Sequence, residues 1–142
     1  MALTGVNLVR ASRHGLQLAR KLWPATGDRY EIRRQALKLR FWDERHLHPP
    51  GILVDLTYES IKALQGLGIY EARIDDTIGG LKNIRIVFLD PPKGWKPTIG
   101  EPPLRMIWIL EAIPKRRNDW TISDLRRFKA ARLLIQKRCY GE

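Results

Sequence analysis

One cysteine, Cys139, occurs in 142 residues. Its solitude excludes an internal disulfide and any cysteine-based zinc site, and fits a reducing compartment. Histidine is nearly as scarce. His46-x-His48 beside Pro49-Pro50 offers two metal-type ligands, although a solvated loop is the commoner meaning of such a pair, and neither a metal nor a cofactor is expected. No run of ~18 apolar residues is present, which excludes a transmembrane helix and points to a soluble, cytoplasmic protein without a membrane partner. Neither an internal repeat nor a low-complexity tract is visible. Acidic residues are missing altogether from the first 27 positions, where Arg10, Arg13, Arg20 and Lys21 sit amid Ala, Leu and Ser. That composition suits an organelle transit peptide. It suits an ordinary amphipathic helix over Ala11 to Trp23 equally well, with Leu16, Ala19, Leu22 and Trp23 at helical spacing and Pro24 as the stop.

What is abundant is positive charge. Lys and Arg number 26 against 15 Asp and Glu, a net charge of +11. Such a field attracts polyanions before any specific contact forms, so RNA or DNA leads acidic membranes and acidic proteins as the expected partner. A composition 44% hydrophobic and 29% charged is that of a globular chain, and the length suits one domain, expected over 28–142 with a basic helical arm over 1–27.

Along the chain, Asp28 with Glu31 is expected to cap a second helix whose apolar stripe is Ile32, Ala36, Leu37 and Phe41, stopped by His48-Pro49-Pro50-Gly51. A short helix over Tyr58 to Gln65 follows. The period then changes to two: Tyr70, Ala72 and Ile74 alternate with Glu71, Arg73 and Asp75, the mark of a half-buried strand. A hairpin through Gly79-Gly80 leads to a second strand with Ile84, Ile86 and Phe88 inward. Five prolines make Asp90 to Pro103 an extended loop. Leu104 to Ile113 is a continuously apolar strand, hence central and covered on both faces. Thr121 with Asp124 opens a last helix burying Leu125, Phe128, Ala131, Ile135 and Cys139. The expected fold is α+β: a small antiparallel sheet of three to four strands flanked by N-terminal helices and a C-terminal helix. Trp95 reads as loop packing and Trp108 as core.

Alternation puts Glu71 and Arg73 on one open sheet face, and the hairpin can add Arg85. Lys115-Arg116-Arg117 follows the apolar strand and can lean over the same surface. RNA cleavage without metal needs a proton acceptor for the 2′-hydroxyl, cations for the phosphorane and a donor for the leaving oxygen. Arg73, Arg85 and Lys115 suit the cationic role. For the acceptor, Glu71 is chemically able and Lys115 is an alternative, while no histidine lies in this half of the chain. The same residues also read as cross-strand ion pairs worth ~0.2–1 kcal/mol each. Arg126, Arg127, Lys129 and Arg132 on the last helix are candidates for RNA contact with Arg117, or simply a solvated helix surface.

In order, Gly68-Ile69-Tyr70-Glu71-Ala72-Arg73-Ile74, Asn83-Ile84-Arg85-Ile86-Val87-Phe88, Ile107-Trp108-Ile109-Leu110-Glu111-Ala112, Lys115-Arg116 and the helix around Ala131-Arg132 resemble the RelE superfamily of type II toxins, in its HigB-like, phage-associated branch. The ending Lys137-Arg138-Cys139-Tyr140-Gly141 looks like that of some HigB-like members. The resemblance covers roughly Leu56 to Gly141, and it lies in the order of motifs that are individually short. It implies a RelE-like fold, a metal-independent endoribonuclease acting on mRNA at the ribosome, and neutralisation by an antitoxin. By position, Arg85 matches the strand arginine that contacts the scissile phosphate, Arg73 the arginine of the Glu-Leu-Arg strand, and Lys115 and Arg116 the basic pair after the apolar strand. Ala72 in place of Leu, the long proline-rich loop and the lack of a clear first strand depart from the pattern. They leave open a non-catalytic RNA-binding protein or a structural subunit of a ribonucleoprotein such as an organellar ribosome.

Overall fold

A computed structural model describes residues 7–42, 51–55, 64–96, 106–115 and 120–141. The first regular element is a strand, β1 (Leu8–Ala11), where the sequence suggested only a helical arm. Ser12 then caps α1 (Arg13–Leu22), its side chain accepting from the Gly15 amide at 3.0 Å. The helix ends at Trp23, which is wholly buried and donates its indole N–H to the Ile78 carbonyl at 3.0 Å.

The second helix, α2 (Thr26–Ala36), departs from the expected capping. Ala25 stands at its N-cap without a side-chain hydrogen bond, Asp28 lies inside the first turn, and Glu31 is spent on Arg34 and Gln35. An acid in the first turn still favours the helix dipole. Ile32 and Ala36 are buried as expected, but Leu37 and Phe41 are exposed. At Leu37 the helix tightens into a 3₁₀ segment (Leu37–Phe41), and three residues per turn change the phase of the stripe, so Leu39 and Trp42 turn inward instead.

The sheet has five strands rather than three to four, and it is mixed rather than antiparallel. With β2 (Leu53–Asp55), β3 (Ile69–Ile74), β4 (Ile84–Leu89) and β5 (Met106–Pro114), the order is β1-β5-β4-β3-β2. β1 runs parallel to β5, pairing Leu8 with Met106, and the other neighbours are antiparallel. The β3–β4 connection is the expected glycine turn: Gly79 and Gly80 both have positive φ, 59° and 78°, and Ile78 and Leu81 bridge across it. Two consecutive left-handed residues match the twist of the flanking strands. Of the helix expected over Tyr58 to Gln65, only Leu64 and Gln65 are described, both helical; His46, His48, Pro49 and Pro50 lie outside the described residues.

Both faces of the sheet are covered. On one, α1, α2 and the 3₁₀ segment bury Ala72, Ile74, Ile84, Ile86, Phe88, Ile107 and Ile109. On the other, α3 (Ile122–Cys139) brings Phe128, Ala131 and Ile135 onto Ile69, Val87, Leu89, Trp108 and Leu110. The half-buried strand expected at β3 is therefore buried on both sides, Glu71 included. α3 is held at its start by the expected capping box, with the Thr121 amide donating to Asp124 at 2.9 Å and the Asp124 amide to the Thr121 hydroxyl at 3.1 Å.

Past the end of β1, the outer edge of β5 is shielded by α1. The Ser12 amide donates to the Ile109 carbonyl at 2.9 Å, and Gly15 lies so close that a Cβ there would stand 3.0 Å from the carbonyl oxygens of both Ile109 and Leu110. Gly15 lies in the first turn of α1, and the close approach to the β5 backbone leaves no room there for a side chain. Gly15→Val should destabilise the fold by about 1–3 kcal/mol through overpacking against backbone that cannot yield; urea denaturation showing an unchanged midpoint would contradict this packing.

Candidate functional site

The antiparallel register sets Arg73 directly opposite Arg85 and Glu71 opposite Val87. Glu71, Arg73 and Arg85 share the face on which α3 packs. Like charges directly opposed destabilise a sheet, so this pair requires an anion nearby. Glu71 supplies one. Its carboxylate is 2% exposed and receives the Lys115 ammonium at 3.0 and 3.2 Å and the Trp120 indole N–H at 2.9 Å. Arg85 Nε lies 2.9 Å from Oε1 without its N–H aimed at it, an ion-pair contact rather than a hydrogen bond. Lys115 is placed by its own backbone, whose amide donates to the Asn83 carbonyl at 2.8 Å just beyond the β4–β5 ladder. Its ammonium also stands 4.9 Å from the centre of the Trp120 ring, within cation–π range.

Burying a carboxylate is tolerable only when it is paired and its lone pairs are met. Two cations and an indole N–H meet both conditions. Glu71, Arg85 and Lys115 are thus brought together as their spacing suggested, but under α3 and not on an open face. Arg73 is half-buried beside them. Arg116 and Arg117 lie outside the described residues.

The cations expected on the last helix do not act as one surface. Arg126 and Lys129 are exposed. Arg132 donates to the Leu67 carbonyl at 2.8 Å and stacks 4.7 Å from the centre of Trp95, and burial draws its pKa below the usual arginine value. Trp95 packs there against Tyr140 in a tilted pair 5.2 Å apart, the loop-packing role expected of it.

Arg127 belongs to a second polar cluster that sequence reasoning passed over. The β4–β5 register steps between Val87 and Phe88, which face Glu111 and Ile109, so Leu110 is an extra residue. Such a bulge re-aims side chains, and its signature is that Leu110 and Ala112, two apart, fall in opposite cores. Glu111 is fully buried at the bulge. It accepts two hydrogen bonds from Arg127, both at 3.0 Å, and lies 2.8 Å from Nε2 of His14 on α1. Arg127 in turn reaches Asp124 at 2.8 Å. The Glu111 hydrogen bond raises the Arg127 pKa above its ordinary value. Burial pushes Asp124 upward, but hydrogen bonds from Thr121 and Arg127 outweigh it and hold the carboxyl below the usual aspartate range. An acid inside the run Met106 to Ile113 was the available signal, because it needs a cation wherever that strand is buried.

No family model, curated protein or solved structure matches the chain.

Among the described residues no group of three His, Cys, Asp or Glu side chains is placed to hold a metal, and no helix is long and apolar enough to cross a membrane. The arrangement can fix guanidinium and ammonium groups rigidly at one end of a sheet, and it can orient an imidazole.

Glu71→Gln should destabilise the protein by about 3–5 kcal/mol, since it leaves two buried cations without their counter-charge; equilibrium urea denaturation measures it. Asp124, with a depressed folded-state pKa, adds stability above the ordinary value of 3.8 that is lost as pH falls through the folded value. Asp124→Asn should therefore lower the melting temperature at pH 7, with the gap to the parent closing below about pH 4, as thermal scans across acid pH would register.

Proposed function

We propose that the chain is a toxin of the RelE/HigB class: a cytoplasmic, metal-independent endoribonuclease that cuts mRNA on the ribosome and is restrained by an antitoxin protein. The observation that carries the reading is the cross-strand pair of Arg73 and Arg85, with Lys115 clamped beside them by Glu71. Two guanidiniums set opposite each other cost stability in a sheet and gain their use when a phosphodiester lies between them. Net charge of +11 draws RNA to the protein as a whole. The motif order from Gly68 to Arg132 supplies the toxin class; the α+β content agrees with it, while the mixed five-stranded sheet, whose first strand precedes the helices, departs from the small antiparallel sheet that class implies.

In this reading Arg85 and Arg73 hold the scissile phosphate, and Lys115 with Arg116 stabilises charge on the phosphorane. Glu71 is a positioning residue: its oxygens are taken by Lys115, Arg85 and Trp120, which keeps the cations in place before substrate arrives. Arg117, Arg126 and Lys129 extend the RNA track.

The engagement of Glu71 also favours a second reading, an RNA-binding protein or ribonucleoprotein subunit without catalysis, because it removes the acid best suited to accept the 2′-hydroxyl proton. Binding would then fall steeply with salt while the RNA stayed intact.

Induction in a bacterial host, with mapping of new mRNA 5′ ends, separates the two. Growth arrest with in-frame cuts is expected, both abolished by Arg85→Ala. Normal growth with intact messages would replace the nuclease by the binding protein, and full toxicity of Arg85→Ala would remove that residue from the site.

A further inference from the structure

We infer that His14 is the proton acceptor of the cleavage site, held for that task by Glu111; this rests on the nuclease reading above. An imidazole beside a buried carboxylate has its tautomer set. Glu111 can only accept, so Nε2 of His14 carries the hydrogen across the 2.8 Å contact, and Nδ1 is left with the lone pair. The carboxylate itself is fixed by the two Arg127 bonds, so it orients the ring without swinging. The His14 side chain is 43% exposed while Glu111 is 0% exposed, the arrangement of a reactive ring on a buried anchor.

Position supports the role. His14, Glu111, Lys115, Trp120, Asp124 and Arg127 line one cavity of about 440 Å³ between α1, the end of β5 and the start of α3. The two polar clusters therefore meet there: Lys115 belongs to the Glu71 group, His14 to the Glu111 group. A phosphodiester entering this cavity would meet the Lys115 ammonium and the imidazole on the same wall. Another part of the wall, Leu18, Leu22, Leu81 and Ile113, is apolar.

The step is an internal transesterification. His14 Nδ1 takes the 2′-hydroxyl proton, the 2′-oxygen bonds to phosphorus, and the P–O5′ bond breaks. The products are a 2′,3′-cyclic phosphate and a 5′-hydroxyl whose proton comes from solvent. His14 afterwards returns its proton to solvent, and nothing is oxidised or reduced. Glu111 on β5 contacts the ring; Asp124 and Arg127 on α3 and Lys115 after β5 line the same cavity, and Arg10, Arg13, Asp90, Lys93 and Arg138 line the neighbouring one that the ring also borders.

The test is single-turnover cleavage of mRNA on purified, programmed ribosomes, comparing the parent, Arg85→Ala, His14→Ala and His14→Gln, with melting temperatures taken alongside. His14→Gln retains an N–H donor for Glu111 and serves as the folded control without a titrating ring. Expected are a loss of about 10²-fold or more in both His14 variants, recovery of His14→Ala by added imidazole, and disappearance of the acidic limb of the pH–rate profile. Cuts by the parent that persist at full rate in His14→Ala would overturn the assignment of His14 alone. Loss without imidazole rescue and with an unchanged pH profile would also overturn it. A parent that makes no cut would overturn the nuclease reading together with this inference.

Discussion

Everything at the candidate site follows from putting a glutamate where both faces of the sheet are covered. Once α3 closes over β3, the Glu71 carboxylate loses its water, and the fold has to bring positive charge to it from other elements. Arg85 comes from the neighbouring strand, Lys115 from the residue after β5, and the Trp120 N–H from the approach to α3. One buried anion thereby fixes the relative placement of three segments that are remote in sequence. Replacing such a cluster by apolar residues often costs a protein nothing in stability, whereas removing one partner alone is strongly destabilising.

Glu111 repeats the arrangement on a smaller scale. The bulge at Leu110 turns this acid toward α3, and Arg127 and His14 close on it from two helices. The two carboxylates separate the described cations already tied to an internal anion from those exposed to solvent. Arg127, Lys115 and Arg85 belong to the first group, Arg126 and Lys129 to the second. Net charge alone does not make that distinction, because it counts both groups alike.

The parts of the fold that were legible in the sequence are those with a strong local cause. The glycine turn at Gly79-Gly80, the alternation of β3 and β4, the apolar run of β5 and the Thr121 capping box all act within a few residues. Leu8–Ala11 and Leu53–Asp55 were missed because strands of four and three residues carry too little periodicity, and their partners set their state. Leu37 and Phe41 were misread as buried for a related reason: the 3₁₀ segment is braced by Asn7, whose amide donates to the Arg40 carbonyl and whose side chain donates to the Leu39 and Trp42 carbonyls. Glu71, Arg85 and Lys115 could be grouped by strand alternation, but the α3 that covers them could not. His14 and Glu111 lay too far apart in sequence to be paired.

The parallel join between β1 and β5 has a temporal consequence. Ser12 with Leu110 and His14 with Glu111 are contacts spanning 98 and 97 residues. Closing so wide a loop delays assembly, since its entropy has to be spent before the contact returns anything. Emerging from a ribosome N-terminus first, the chain carries its edge strand and first helix unmatched until β5 follows. The edge strand β1, unlike the sequentially paired β2, β3 and β4, joins the sheet only once β5 has emerged. Fragments that stop short of β5 would lack the His14–Glu111 contact altogether.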